Sequence, residues 1–138
     1  MTTVADIMNP VPVSIDAASP VTAAARKMLE HHIGMLPVVH GGGVVGIVTD
    51  RDLVLRVLAE GRNAADTRVG DIATDWVVTV APETPLEQVE LLIEERRVRR
   101  MPVVSSGKLV GIVSQSDVAR VSPHASPHMF EGPQVWLE

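Results

Sequence analysis

Short apolar runs, separated by glycine-rich or polar turns, recur along this chain of 138 residues. In the first half, residues 36–39 and 44–48 are apolar, and the turn between them holds three glycines, which predicts a β-hairpin. Residues 101–104 and 109–113 repeat this pattern around the turn Ser-Ser-Gly-Lys. The pattern therefore predicts two hairpins of buried strands.

A helix is predicted before each hairpin. Ser19-Pro20 and Thr84-Pro85 are typical of a helix start with Pro at the first helical position, and Glu87 completes a capping-box pattern with Thr84. Apolar residues then follow at helical spacing and define the faces predicted to enter the core: Val21, Ala24, Ala25 and Met28 in the first helix, and Leu86, Val89 and Ile93 in the second.

Each half also begins with an extended segment, at residues 11–15 and 76–80. Pro12 has no amide proton to donate, so the first of these strands is predicted at a sheet edge. After the first hairpin, a helix is predicted from about residue 50 to residue 60, with Gly61 as its C-cap. The predicted order is strand, helix, strand, strand, helix, twice, in an α/β fold of the α+β type.

The two halves are a tandem duplication. Adding 65 to a residue number in the first half gives its counterpart in the second without a gap from Val4 to Asp52, so that Gly46 corresponds to Gly111. A module of about 60 residues buries little surface alone, so we expect the copies to share one core around a pseudo-twofold axis, with paired clefts between them. The chain is divided into a first repeat, 1–61, a linker, 62–68, a second repeat, 69–121, and a tail, 122–138.

The most distinctive motif in each repeat is a strand end, then a hydroxyl residue, then an acid three positions later. Residues 46–52 read Gly-Ile-Val-Thr-Asp-Arg-Asp, and residues 111–117 read Gly-Ile-Val-Ser-Gln-Ser-Asp. In a structural interpretation, the hydroxyl caps a helix and the acid complements the helix dipole. In a functional interpretation, the hydroxyl and the helix amides hold a phosphate, and the acid accepts from ribose hydroxyls. The spacing alone does not choose between them.

The gapless duplication, the order of elements and the two motifs resemble the paired cystathionine β-synthase (CBS) domain, or Bateman module. Residues 46–52 and 111–117 both match the family pattern Gly-hydrophobic-x-Thr/Ser-x-x-Asp, and Asp6-Ile7-Met8 adds to the resemblance, which covers Val4 to about Val121. It implies two pseudo-twofold-related repeats, each a small sheet packed with two helices. It also implies a regulatory module that is not an enzyme.

The resemblance further implies that the clefts between the repeats bind adenosine-containing ligands such as AMP, ADP, ATP or S-adenosylmethionine, with no required cofactor. The family's roles for ribose and phosphate fall here on the two motif acids, Asp52 and Asp117, and the two hydroxyls, Thr49 and Ser114. The base would be flanked by first-strand backbone at Val13, Ser14, Val78 and Thr79, and by the side chains of Ile33, Pro37, Val98 and Pro102. These apolar side chains also suit a core.

A basic tract, residues 96–100, lies at the predicted end of the second repeat's first helix. One interpretation is a solvated face that complements the negative helix terminus. The other is that Arg99 and Arg100 reach nucleotide phosphates. The matching residues of the first repeat are His-His-Ile-Gly-Met, so in the second interpretation the cleft near the arginines should favour the more highly charged ligand.

Composition limits the classes of partner and site that we expect for this chain. A net charge of -5 argues against a nucleic-acid or anionic-membrane binder. The chain has no Cys, no apolar run approaching 18 residues and no basic-then-apolar leader pattern, so we expect an intracellular, cytoplasmic protein. No metal site is expected, because Pro123 and Pro127 oppose the helix that would align His124 with His128.

Two classes of function remain. The first is a sensor that binds an adenine nucleotide and presents a changed surface to an unidentified protein target. The second is a structural dimerisation or protein-interaction module with vestigial clefts. A homodimer is predicted in either case, because five residues make one helix apolar around most of its circumference: Leu53, Val54, Leu55, Val57 and Leu58.

Overall fold

A computed structural model describes residues 1–10, 13–75 and 77–122 of the chain. These residues form two compact units. The first unit comprises residues 13–75 and 77, and the second comprises residues 1–10 and 78–122. The predicted tail beyond residue 122, with His124 and His128, lies outside the described residues, as do Val11, Pro12 and Trp76.

The first unit is built on a three-stranded sheet, whose strands lie in the order β1 (Ile15–Asp16), β2 (Met35–His40) and β3 (Gly43–Thr49). Strand β1 pairs parallel with β2, and β2 pairs antiparallel with β3 through the predicted glycine turn. The buried apolar residues of this unit form one cluster between sheet and helices. Its elements are β1 (Ile15–Asp16), α2 (Val21–His31), β2 (Met35–His40), β3 (Gly43–Thr49), α3 (Asp50–Asp52), a π-helix (Leu53–Leu58) and α4 (Val69–Ile72).

The second unit repeats this plan with a separate core cluster. Its hairpin of β4 (Arg100–Ser105) and β5 (Lys108–Ser114) is antiparallel and has the same register as β2–β3, including an irregularity at the corresponding position. Val80 pairs with Val103 as a single parallel bridge where the first unit has β1. Its elements are α1 (Val4–Ile7), α5 (Leu86–Arg96), β4 (Arg100–Ser105), β5 (Lys108–Ser114) and α6 (Gln115–Val121).

The start of each sequence repeat packs in the unit that holds the body of the other repeat. Val4 of α1 is buried in the cluster of the second unit, while Val69 and Ile72 of α4 are buried in that of the first. The predicted single core is therefore wrong: the buried apolar residues in the described part of the chain form two clusters, one in each unit. Each repeat is too small to enclose a core alone, and each cluster is completed by the other repeat's first helix.

The helix starts differ from the prediction. Helices α2 and α5 begin after Pro20 and Pro85, and backbone carbonyls cap them: Val21 donates to Thr67 O at 2.8 Å and Leu86 donates to Thr2 O at 3.1 Å. The Thr84 hydroxyl accepts instead from the Ala81 amide, so the predicted Thr84–Glu87 capping box is not formed. Long-range carbonyls have replaced the local side-chain caps.

Three further predictions need correction. Strand β1 is two residues long, since Val13 and Ser14 lie before it, and Val78 and Thr79 are likewise outside a strand. Ala25 is exposed, whereas the other predicted helix positions are buried. The helix predicted at residues 50–60 starts as α3 but continues as a π-helix, with Ala59 donating to Val54 O.

Candidate functional site

The motif of the first unit forms a capping box at the start of α3. The Thr49 hydroxyl accepts from the Asp52 amide at 3.1 Å, and the Thr49 amide donates to Oδ2 of Asp52 at 2.9 Å. Two backbone donors at the helix start are thereby satisfied by the pair of side chains. The structural interpretation of this motif is confirmed, and it engages only one carboxylate oxygen.

The second motif has the same geometry. The Asp117 amide donates to the Ser114 hydroxyl at 3.2 Å, and the Ser114 amide donates to Oδ2 of Asp117 at 2.8 Å. The Ser114 hydroxyl also lies 3.0 Å from that of Ser116. The first motif lacks this contact, because the position equivalent to Ser116 is Arg51. The two acids have similar exposure, with 15% and 17% of their side-chain surface accessible.

An arginine from the following helical turn meets the second oxygen of each acid. Arg56 Nε lies 3.7 Å from Oδ1 of Asp52, and Arg120 donates to Oδ1 of Asp117. Arg56 also donates through Nη1 to the Ile72 carbonyl at 2.9 Å, which ties the motif to α4. Neither arginine was predicted as a site residue from the sequence, although spacings of four and three residues from the acid are a recognisable helical signal.

Strand register brings five of the six predicted residues of the first unit, all but Pro37, to one end of its sheet. Met35 pairs with Thr49, and the parallel register of Ile15 with Val38 sets the residues before β1 beside the start of β2. Val13, Ser14, Ile33, Thr49 and Asp52 therefore lie at the same sheet end. The Asp50 amide closes this end by donating to the Gly34 carbonyl at 2.9 Å.

The second unit has the equivalent arrangement. Arg100 pairs with Ser114, and the Gln115 amide donates to the Arg99 carbonyl at 2.7 Å. The bridge between Val80 and Val103 sets Val78 and Thr79 beside the start of β4. One end of this sheet therefore holds the motif acid, the motif hydroxyl, the backbone of the repeat's first extended segment (the first-segment backbone), and Arg99 and Arg100.

The basic tract is divided between two elements. Arg96 is in the last turn of α5, Arg97 ends the helix with a left-handed backbone at φ 54°, and Arg100 is the first residue of β4. Arg99 and Arg100 are half-buried, whereas Arg96 and Arg97 are exposed. The interpretation as a solvated helix end fits Arg96 and Arg97, and only the other two lie at the motif end of the sheet.

Two of the four predicted base-flanking side chains pack against the cores of their units. Ile33 and Val98 are half-buried against the core clusters of their units. Pro37 and Pro102 are buried within β2 and β4. Successive side chains of a strand point to opposite faces of the sheet, and the two neighbours of each proline point into the core, so each proline lies on the other face. Ile33 and Val98 thus contribute to packing in the present structure, and the two prolines lie away from their unit's core cluster.

A lysine distinguishes the two sheet ends. Lys27 of α2 donates through Nζ to the Ser14 carbonyl at 2.6 Å. The position 65 residues later is Leu92, which packs against the core cluster of the second unit. The first unit therefore has a cation at its first-segment backbone where the second has an apolar side chain.

Among the described residues, the surface features outside the two motifs do not define a further site. A shallow depression of about 330 Å³ is lined by five residues of α2, none of them from the motif: Thr22, Ala23, Arg26, Lys27 and Glu30. Within residues 1–10, 13–75 and 77–122, three or more His, Asp or Glu side chains nowhere converge as a metal site would require. In the same part of the chain, every helix is too short or too polar to cross a bilayer.

Comparison with known proteins agrees with this architecture. A sequence model of the CBS domain matches residues 4–59 and 69–124. The chain is 39% identical over 124 residues to Hypoxic response protein 1 of Mycobacterium tuberculosis, which covers 89% of this chain and 87% of that protein.

Two solved structures extend the comparison. A crystal structure of Hypoxic Response Protein I with two coordinated zinc ions has a TM-score of 0.78 at 39% identity, covering 87% of this chain and 98% of that one. The CBS domain pair of protein MJ0100, in complex with 5′-methylthioadenosine and S-adenosyl-L-methionine, has a TM-score of 0.75 at 28% identity, covering 88% and 95% of the two chains.

Proposed function

The chain belongs to the CBS domain family, and we propose that it is a non-catalytic regulatory module that binds adenosine-containing nucleotides at its two motif sites. The observation that carries the proposal is the double occurrence of one constellation. In each unit a helix-capping hydroxyl, an acid with one oxygen outside the cap, and first-segment backbone lie at the same end of the sheet.

The capping geometry is compatible with ligand binding. Oδ1 of Asp52 and of Asp117 meets an arginine, and a carboxylate oxygen has lone pairs for more than one donor, so ribose hydroxyls can share it. The Thr49 hydroxyl accepts from the Asp52 amide and retains its proton for a phosphate oxygen. The cap thus orients both side chains before any ligand arrives.

The choice of an adenosine-containing ligand is supported by the related CBS pair of MJ0100, whose structure contains 5′-methylthioadenosine and S-adenosyl-L-methionine. We carry over the ligand class and not the individual compound. The arginines at the second motif, Arg99 and Arg100, favour a ligand with more phosphate charge in that unit.

A thermal-shift panel of AMP, ADP, ATP, S-adenosylmethionine and NAD tests the proposal. A ligand present at 100 times its Kd and bound only to the native state adds about 2.7 kcal/mol to the free energy of unfolding for each site. We expect at least one adenosine-containing compound to raise the melting temperature at millimolar concentration. The absence of any shift, with calorimetry also negative, would contradict the proposal.

A second candidate function is dimerisation, which a specific surface favours. Val54, Leu55 and Leu58 of the π-helix expose 52%, 48% and 69% of their surface in the single chain. Contiguous exposed apolar side chains on one helix are typical of an interaction site. We propose that this helix meets a second copy of the chain, whether the module acts as a sensor or as a structural and interaction module with vestigial sites.

A further inference from the structure

The contact between Lys27 and Ser14 lies at one of the proposed nucleotide sites, beside the backbone where the resemblance to CBS domains implies the base. Lys27 is half-buried, and its Nζ is 2.6 Å from the Ser14 carbonyl. The second unit has Leu92 at the position equivalent to Lys27 and Thr79 at the position equivalent to Ser14. The two units therefore differ in charge beside an otherwise equivalent backbone group.

Ser14 directly precedes the edge strand β1, and its carbonyl accepts from Lys27. Strand β1 is the edge strand of the order β1-β2-β3, and it pairs with β2 through Ile15 and the following residues, with the Ala17 amide donating to the Val39 carbonyl. In a parallel pair, alternate residues direct their amide and carbonyl to the partner strand, so Ser14 directs its own groups away from β2. A base edge that pairs with this backbone meets Lys27 at the same point.

Adenine and 6-oxopurines differ at that edge. Adenine carries an amino donor at C6, which needs an acceptor, whereas hypoxanthine and guanine carry an oxygen acceptor there. An ammonium group offers only donors. It already engages the Ser14 carbonyl, so it opposes the amino group of adenine and can donate to the oxygen of a 6-oxopurine.

We propose that Lys27 gives the site of the first unit a preference for 6-oxopurine nucleotides, whereas the site of the second unit, with Leu92, prefers adenine nucleotides. This inference rests on the proposed function, since it takes the base to lie beside Ser14 and Thr79. It revises that proposal at the first site, where adenosine-containing nucleotides become the weaker ligands, and keeps it at the second. A charge-assisted hydrogen bond that forms with a 6-oxopurine but not with adenine corresponds to about a 10- to 100-fold difference in affinity. Lys27 is then a specificity-determining residue.

Titration calorimetry with AMP and inosine monophosphate tests this preference in single-site backgrounds. In an Asp117→Ala background, which leaves the first site, we expect inosine monophosphate to bind about 10- to 100-fold more tightly than AMP. Lys27→Leu should abolish or reverse that ratio, and Arg26→Leu, which removes a neighbouring cation of α2, should leave it unchanged. The reciprocal Leu92→Lys in an Asp52→Ala background should shift the second site toward inosine monophosphate.

Melting curves show whether each variant is folded, and Lys27→Met, which keeps the unbranched chain, replaces Lys27→Leu if the latter does not fold. The inference is overturned if AMP is preferred in the Asp117→Ala background or if Lys27→Leu and Lys27→Met leave the ratio unchanged. In those outcomes nucleotides still bind, and the proposed function stands. If neither unsubstituted nor substituted protein binds any purine nucleotide, the proposed function fails and this inference fails with it.

Discussion

Gly46 lies directly against the backbone of Thr74, so that a Cβ at position 46 would be 2.6 Å from the Thr74 carbonyl oxygen. Ile47 and Thr74 exchange two backbone hydrogen bonds of 2.9 Å at this point. Gly111 has the same relationship to Asn9, whose carbonyl oxygen would be 2.8 Å from an added Cβ. The first residue of the motif is therefore glycine because the start of the other repeat docks there, a reason independent of any ligand.

Gly46→Ala should destabilise the protein by about 1 to 3 kcal/mol, because the added methyl group meets backbone that cannot rotate away. Chemical denaturation of both proteins measures the difference. Gly70→Ala is the matched control, since its nearest contacts, with Ala17, would be at 3.2 Å, and we expect a change below about 1 kcal/mol. Equal stabilities of Gly46→Ala and the unsubstituted protein would contradict the docking seen here.

Ser114→Ala should cost about 0.5 to 2 kcal/mol of stability, since it removes the acceptor for the Asp117 amide at the start of α6. Ser116→Ala removes a hydroxyl 3.0 Å from that of Ser114 but leaves the cap in place, so its cost should be much smaller. Thermal melts of the two variants without ligand make the comparison. A larger loss for Ser116→Ala would show that the cap is not the stabilising contact.

The hairpins could be predicted because they are local patterns, and the duplication could be predicted because it repeats the sequence at one constant offset. Apolar runs of strand length around a glycine turn define β2 and β3 to within about one residue, and the constant offset of 65 transfers them to β4 and β5. The docking of the repeat starts could not be predicted. The bridge between Asn9 and Ile112 joins residues far apart in sequence, and no periodicity marks such a partner.

The same distinction applies to the candidate site. The capping box follows from a hydroxyl and an acid three residues apart, and the arginine partners lie within one further turn. The contact of Lys27 with Ser14 spans 13 residues and two elements, so it required the fold. The backbone caps of α2 and α5 likewise come from segments distant in sequence, which is why the predicted Thr84 capping box was wrong.

Leu58→Glu should convert the proposed dimer to a monomer at micromolar concentration, because it places a charge on the most exposed apolar position of the π-helix. Light scattering coupled to size-exclusion chromatography measures the mass. Val45→Glu introduces the same charge at a residue of β3 that is 44% exposed, and it should leave the mass unchanged. A monomeric mass for the unsubstituted chain would contradict the proposed dimer.

Arg100→Gln should reduce the preference of the second unit's site for ATP over AMP, measured by calorimetry in an Asp52→Ala background. Arg100 is half-buried and pairs with Ser114 at the motif end of the sheet, so its charge lies near the proposed phosphate position. Losing one charge-assisted contact predicts about a 10-fold fall in ATP affinity with little change for AMP. Arg96→Gln, at an exposed position in the last turn of α5, is the control that should leave both affinities unchanged.

Calorimetric titration of Asp52→Asn and Asp117→Asn shows whether the two motif acids bind nucleotide as well as cap helices. An Asn carbonyl can replace Oδ2 in the cap, while its amide group, a donor, replaces the oxygen offered to ribose. We predict that the unsubstituted chain binds purine nucleotide at two sites and that each variant weakens one of them about 10- to 100-fold while keeping the other. Unchanged affinities in both variants, or no binding to the unsubstituted chain at millimolar nucleotide, would show that the motifs are helix caps alone.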